Sequence, residues 1–244
     1  AGSRFVAYLP GSVSRPFKEA FGWTEELGTA QEEFQKRYTT FIAEYSLRFG
    51  PFLDGWWFDS PYELPVFHKS RLNANLYLGA ARAGNPKAAV AFNDGSLCCG
   101  FSEPVVAGQD YLAGETEVLI GGKIRYGREK GSPLLDLATH APQPPSSCLW
   151  HSLVPIDCFW MHGNRFGEYL HLPFAQPSIG AGEMEPPVYA TEDLSTLLRD
   201  FKAAGGGVTF NVGIFQEGAL APLTVDQLAE LASRLPCRDN QPRE

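Results

Sequence analysis

Leu53-Asp54-Gly55-Trp56-Trp57-Phe58-Asp59-Ser60 decides how the rest of the chain is read. Pro51 ends the helix-like segment before it. The run that follows is aromatic and apolar, which suits a buried strand. Side chains alternate along a strand, so Gly55, Trp57 and Asp59 share one face and Trp56 and Phe58 the other. If helices cover the second face, Trp56 and Phe58 are packing residues. The first face then carries a carboxylate at the strand's C-terminal end, one step beyond an aromatic plane. In barrels of parallel strands, that end is where chemistry sits. The competing reading makes Asp59 a cap for the next element and Trp57 a core residue.

Outward from that stretch, the 244 residues suffice for one large domain with a sizeable core. With 20% charged and 44% hydrophobic residues, the composition is that of an ordinary globular chain. A formal net charge of -8 argues against nucleic acid and against an anionic membrane surface as partners. Aromatics at 13% in an acidic chain fit a neutral, flat-faced ligand such as a sugar. The five cysteines, Cys98, Cys99, Cys148, Cys158 and Cys237, include no pair with metal-ligand spacing beside a histidine. They read as buried thiols, or as a disulfide or two if the protein is secreted. There is no run of 18 apolar residues and nothing that reads as a signal peptide. The chain opens Ala1-Gly2-Ser3 without an initiator Met, and more sequence upstream is expected.

Taken in order, Arg4 to Leu9 reads as a strand, followed by a Gly-, Pro- and Ser-rich loop to about Gly28. A helix is expected from Thr29, with Thr29 as cap and Glu32 completing a capping box. Phe34, Tyr38, Phe41, Ile42, Tyr45 and Phe49 recur in it at helical spacing, and Gly50-Pro51 stops it. Pro65 to Ala83 reads as the next helix, and Lys87 to Phe92 as a second buried strand ahead of Asn93-Asp94-Gly95. Ser96 to Pro187 is loop-rich, with strand-like pieces near Glu117 to Ile120 and Cys148 to Ile156. Loops this long are often functional. Helices are expected over Thr191 to Ala204, capped by Thr191, and over Thr224 to Leu235, with a strand at Val208 to Val212 between them. Strands alternating with helices predict parallel βαβ units. The predicted class is α/β: a partial (β/α)8 TIM-like barrel of about five strand–helix units, in a single domain over 1–244.

Three stretches resemble the α-L-fucosidases of glycoside hydrolase family 29. Arg48-Phe49-Gly50-Pro51 followed by Asp54-Gly55-Trp56-Trp57-Phe58-Asp59 is similar to the family's nucleophile strand, with Ser60 where the family usually has Gly. Asp110-Tyr111-Leu112-Ala113-Gly114-Glu115 resembles a segment in one fucosidase-like branch. Gly205-Gly206-Gly207-Val208-Thr209-Phe210-Asn211-Val212-Gly213, with Gly218 and the helix around Leu228, resembles the last barrel strand and closing helix. The likeness covers the C-terminal part of the family's catalytic domain. It implies that Phe5 to Leu9 is about the fourth barrel strand and that the first strands are missing. It implies a retaining hydrolase that removes terminal α-L-fucose from oligosaccharides or glycoconjugates, in a secreted, periplasmic or lysosomal setting. The alternative is a catalytically incomplete relative that binds carbohydrate or has its barrel completed by another chain. An open barrel leaves unpaired strand edges, and a homodimer or complementing chain is the expected cover.

Retaining glycosidases place a nucleophile and an acid/base about 5–5.5 Å apart, one ionised and one protonated. The resemblance implies Asp59 as nucleophile. Glu115, in a loop-to-strand region after the next strand of the series, is expected as acid/base because catalytic groups come from several strand ends, with Glu117 and Asp94 as rivals and an ordinary loop carboxylate as the competing reading. Trp57, two residues before Asp59, would line the site against the sugar's apolar face. Trp150, His151 and Trp160 resemble a Trp-His segment of the same branch and are expected to bind substrate; a structural role for His151 remains open. His140, His162 and His171 lack metal spacing, and neither metal nor cofactor is expected. Thr209 and Asn211 share a face of the last strand, where barrel filling is the better reading.

Overall fold

The computed structural model describes residues 4–10, 15–26, 29–59, 71–93, 104–125, 130–135, 148–161, 163, 166–167, 170–172, 176, 179–180 and 182–235. Ser60, Asp94, Cys98, Cys99, Cys237, His140 and His162 lie outside them, as does the first part of the helix expected from Pro65. The chain divides into two compact units. One is drawn from Ala1–Ser96, Ser102–Ala113 and Pro144–Leu149, the other from Leu97–Phe101, Gly114–Gln143 and Trp150–Glu244.

The first unit is organised by the aromatic strand. Strands β1 (Val6–Pro10), β2 (Gly55–Asp59) and β3 (Ala89–Asn93) form a parallel sheet in that order. A one-turn helix, α1 (Arg15–Lys18), and the long α2 (Glu32–Phe49) connect β1 to β2, and α3 (Ala74–Ala81) lies between β2 and β3. The alternation along β2 is as the sequence implies. Trp56 and Phe58 are buried with Phe34, Tyr38 and Ile42 of α2, Tyr77 of α3 and Phe92 of β3 in one apolar cluster. Trp56 Nε1 donates to the Ala81 carbonyl at 2.8 Å, so its one polar atom is satisfied inside the core.

Helix α2 buries Phe34, Tyr38, Ile42 and Ser46, an i, i+4 stripe. The remaining aromatics of the pattern, Phe41, Tyr45 and Phe49, form a flanking row, with ring centroids 4.7 Å and 6.2 Å apart. The expected Thr29 cap is not used. The helix begins at Glu32 behind Gln31, whose backbone is left-handed (φ 49) and gives no side-chain cap. Two glutamines hold this turn instead. Gln31 Nε2 donates to the Thr24 carbonyl at 2.6 Å, and Gln35 Nε2 donates to the carbonyls of Ala30 at 2.6 Å and Arg71 at 2.9 Å. Long amides reaching across loops replace the short-range capping box.

Gly84 lies where α2 and the turn after α3 meet. A Cβ there would stand 1.8 Å from the Ser46 carbonyl oxygen. Gly84→Ala is expected to destabilise the protein by about 1–3 kcal/mol, as overpacking does. Gly79, with open space around it in the middle of α3, makes the control: Gly79→Ala is expected to stabilise by about 0.5–1 kcal/mol. Thermal melts of the two variants should shift in opposite directions.

The second unit is built on β6 (His151–Pro155) and β7 (Gly207–Asn211), also parallel. Residues 114–116 extend this sheet on the other side of β6. Leu153 N–H donates to the Gly114 carbonyl at 2.8 Å, Thr116 N–H donates to the Leu153 carbonyl at 2.9 Å, and Glu115 pairs with Leu153 in parallel. Helices α4 (Thr191–Ala203) and α5 (Pro222–Arg234) flank β7 in sequence. Thr191, expected as a cap, is the first helical residue, and its hydroxyl donates to Glu230 Oε2 at 2.9 Å. The strand expected near Glu117 is instead half of a hairpin. Strands β4 (Leu119–Ile120) and β5 (Lys123–Ile124) pair antiparallel. Their two-residue turn, Gly121-Gly122, has φ of 57 and 77, the positive pair that a tight hairpin requires. The class is mixed α/β with parallel sheets, and this hairpin is its departure from the all-parallel expectation.

Candidate active site

In the first unit the site grows from the face of β2 turned away from the helices. Register pairs Tyr8 of β1 with Trp57, and Asn93 of β3 with Asp59. Tyr8 and Trp57 stack at 5.3 Å with their planes 18° apart. Trp57 is buried under Tyr8, whose own side chain is 59% exposed. The Tyr8 hydroxyl donates to Asp59 Oδ2, and Asn93 Nδ2 donates to Oδ1 at 2.9 Å. Asp59 is half-buried at the C-terminal end of its strand, with Tyr8 and Asn93 among its partners. Among the described residues, the buried Trp57 indole N–H has no hydrogen-bond partner. Aromatic stack and carboxylate thus occur together on one sheet face.

In the second unit, parallel register places Glu115, Leu153 and Thr209 on one face, with His151 and Asn211 in the same rows. His151 Nε2 lies 2.8 Å from the Thr209 hydroxyl, which ties β6 to β7 across that face. The opposite face is marked by the Thr116 and Ser152 hydroxyls, 2.7 Å apart and buried. Trp150 is buried directly before β6, where alternation turns it away from His151, and its carbonyl accepts from Gly207 N–H at 2.9 Å. Trp160 lies in the loop after β6 with φ 70. Glu117 is buried, and its backbone carbonyl accepts from the Tyr189 hydroxyl at 3.4 Å. Among the described residues, no group of three or more His, Cys, Asp or Glu has the geometry to hold a metal ion.

Several polar residues of these units were not singled out by the sequence. Tyr8 and Asn93 become visible only through inter-strand register. Asp157 is fully buried after β6. Its Oδ1 accepts from the N–H groups of Cys158 at 2.7 Å and Gly213 at 2.9 Å, and its Oδ2 accepts from the Thr224 hydroxyl at 3.0 Å. Burial, and then the neighbouring Asp157 carboxylate, push the Cys158 thiol up to about 12 from 9.0. Burial pushes Cys148 up to about 11, with Asp110 adding to it. Tyr38, Tyr77, Tyr111 and Tyr189 are likewise raised by burial. Above pH 9 the unfolded chain therefore releases protons that the folded chain keeps, and stability falls as pH rises. Urea melts at pH 8.5 and 10.5 should show this loss, with Cys158 unreactive to thiol reagents until the protein unfolds. Constant stability across that window, or a reactive native Cys158, would contradict the buried-thiol geometry.

No protein-family model matches the sequence, and no curated protein matches it at a significant level. Solved structures do. Endo-fucoidan hydrolase MfFcnA4 from glycoside hydrolase family 107 is similar at a TM-score of 0.53 and 16% identity, over 94% of this chain and 38% of that one. Endo-fucoidan hydrolase P5AFcnA of the same family has a TM-score of 0.49 at 14% identity, over 100% of this chain and 70% of that one. The chain thus spans under two fifths of the length of MfFcnA4. The first likeness is one of fold alone, the second is too weak to add to it, and neither structure belongs to family 29.

Proposed function

We propose that the protein is a glycoside hydrolase that cleaves α-L-fucosyl bonds with retention, through a glycosyl-aspartate at Asp59. The observation that carries this reading is the place of Asp59: at the C-terminal end of a buried parallel strand, on the face opposite the one that packs on α2 and α3, next to an aromatic stack. In the first step the Asp59 carboxylate attacks the anomeric carbon while an acid protonates the departing oxygen. Tyr8 and Asn93 hold the carboxylate in one orientation. The exposed Tyr8 ring, backed by the buried Trp57, offers a flat apolar surface to the sugar, so that Trp57 lines the site through the stack. Glu115 is proposed as the acid, with His151 on the same face of its sheet as a hydroxyl-binding group. In the second step Glu115 takes a proton from water, which opens the ester. The same reading treats the parallel strands as part of a (β/α) barrel whose ligand side is the strands' C-terminal end. A second reading is favoured by the fold likeness to an endo-fucoidan hydrolase. In it the same chemistry acts within a fucose-rich polysaccharide rather than at chain ends.

The test is hydrolysis of 4-nitrophenyl α-L-fucoside beside a panel of other 4-nitrophenyl glycosides and fucoidan. Selective cleavage of the fucoside, with α-L-fucose as first product by proton NMR, supports the terminal reading. Shortened fucoidan without free fucose supports the internal one. Absence of cleavage of any fucose-containing substrate overturns both and leaves carbohydrate binding. Glu115 has its own signature. Glu115→Gln is expected to lose roughly 10²–10⁴-fold on poor leaving groups and far less on 2,4-dinitrophenyl α-L-fucoside, which needs little protonation. Equal losses on both substrates would move the acid to Glu117 or Asp94.

A further inference from the structure

The loop after β6 is held unusually firmly for a connection. Ile156 N–H donates to the Asn211 carbonyl at 3.1 Å, and Gln176 Nε2 donates to the Asp157 carbonyl at 2.6 Å. The Asp157 carboxylate ties the loop to Gly213, beyond β7, and to Thr224 in the first turn of α5. At its far end stands Trp160, a non-glycine residue in the left-handed region at φ 70. That conformation is unfavourable for an L-residue, so its surroundings must hold it. Among the described residues, Asn211 helps to hold it: its Nδ2 donates to the Trp160 carbonyl at 3.2 Å.

Asn211 closes the row that begins with the His151–Thr209 pair, on the sheet face that carries Glu115. Its bond to the Trp160 carbonyl therefore brings the Trp160 backbone to the C-terminal edge of that face. The Trp160 ring is half-buried and leans on Phe159 at 5.7 Å, its plane tilted by 48°. Met161, next to it, is 62% exposed. A strained aromatic residue, fixed by a polar side chain and set beside exposed apolar surface, suits stacking on a ligand.

The chemistry at Glu115 says which part of the ligand. A general acid touches the glycosidic oxygen, so groups on its own sheet face flank the leaving group rather than the fucosyl ring. We infer that Trp160 is the stacking platform for the leaving-group saccharide, and that Asn211 is the positioning residue that presents it. The inference rests on the fucosyl hydrolase reading and adds a specificity determinant to it: a preference for fucose linked to another sugar over fucose linked to a small leaving group.

The experiment compares two substrates of the full chain: 2′-fucosyllactose, whose leaving group is a disaccharide, and α-L-fucosyl fluoride, whose leaving group is an ion. Trp160→Ala is expected to lower the ratio of their kcat/KM values about tenfold, mostly through KM for the saccharide. Asn211→Ala should move the ratio in the same direction and less far. In the Trp160→Ala background it should add nothing, because Asn211 acts through Trp160. Equal losses on both substrates, or an Asn211→Ala effect that persists without Trp160, overturn the inference and leave packing roles for both. Fluorine NMR of the protein labelled with 5-fluorotryptophan separates this outcome from failure of the parent reading. The Trp160 signal, identified by its loss in Trp160→Phe, should shift on adding 2′-fucosyllactose and should not shift with L-fucose alone. Turnover of neither substrate overturns the hydrolase reading. An unmoved Trp160 signal overturns the platform, whatever the turnover.

Discussion

If Asp59 is the nucleophile proposed above, Asp59→Ala is expected to lower α-L-fucoside hydrolysis by roughly three to four orders of magnitude, the loss typical of removing a group that works as a unit with its partner. No ester can form without the attacking oxygen. The fold should survive, because Asp59 is half-buried and Tyr8, which donates to it, is exposed to water. Asn93, which also donates to it, is buried and loses an acceptor, which sets a stability cost of about 1–3 kcal/mol. Azide fits the space left by the carboxylate and should restore part of the turnover with inverted stereochemistry. Near-normal rates in a folded Asp59→Ala remove Asp59 from the mechanism. A variant that fails to melt cooperatively makes the residue a structural one.

The second large effect is on stability. Asp157→Ala strands three buried donors at once: the N–H groups of Cys158 and Gly213, and the Thr224 hydroxyl. Breaking such a buried cluster costs about 3–5 kcal/mol. For a chain of this size that corresponds to a fall in Tm of roughly 10 °C. Asp157→Asn should cost much less. Its carbonyl oxygen still accepts from the two N–H groups, and the Thr224 hydroxyl can turn to accept from the new amide. Thermal melts of the two variants separate the explanations. If Asn costs as much as Ala, charge rather than hydrogen-bond satisfaction holds the end of β6 in place.

The readable parts of this molecule are those written in local periodicity. The period-2 pattern of β2 gave the burial of Trp56 and Phe58 and the opposite facing of Trp57 and Asp59. The period-3.6 pattern of α2 gave Phe34, Tyr38 and Ile42 as its inner stripe, though it could not separate them from Phe41, Tyr45 and Phe49, which share the spacing and lie on the flank. Capping was misjudged because the turn before α2 is held by Gln31 and Gln35 across distances of several residues, beyond any short motif. Tyr8 and Asn93 were hidden for a different reason. Each matters only because register brings it beside β2, and register is a property of two strands, not one. Asp157 carries no local sequence signal, because its three donors come from Cys158, Gly213 and Thr224 and converge on it only in the fold. Gly121-Gly122 carried a hairpin signal that the strand-like residues around it obscured.

The most direct test of the central assignment is covalent trapping. The protein is incubated with 2-deoxy-2-fluoro-α-L-fucosyl fluoride, whose good leaving group lets the ester form and whose fluorine slows its hydrolysis. Digestion and mass spectrometry then locate the added sugar. The assignment of Asp59 requires one fluorofucosyl group on the peptide that contains Asp59, absent from Asp59→Ala. Label on a peptide lacking Asp59, or fucoside turnover with inversion and no label at all, would contradict it.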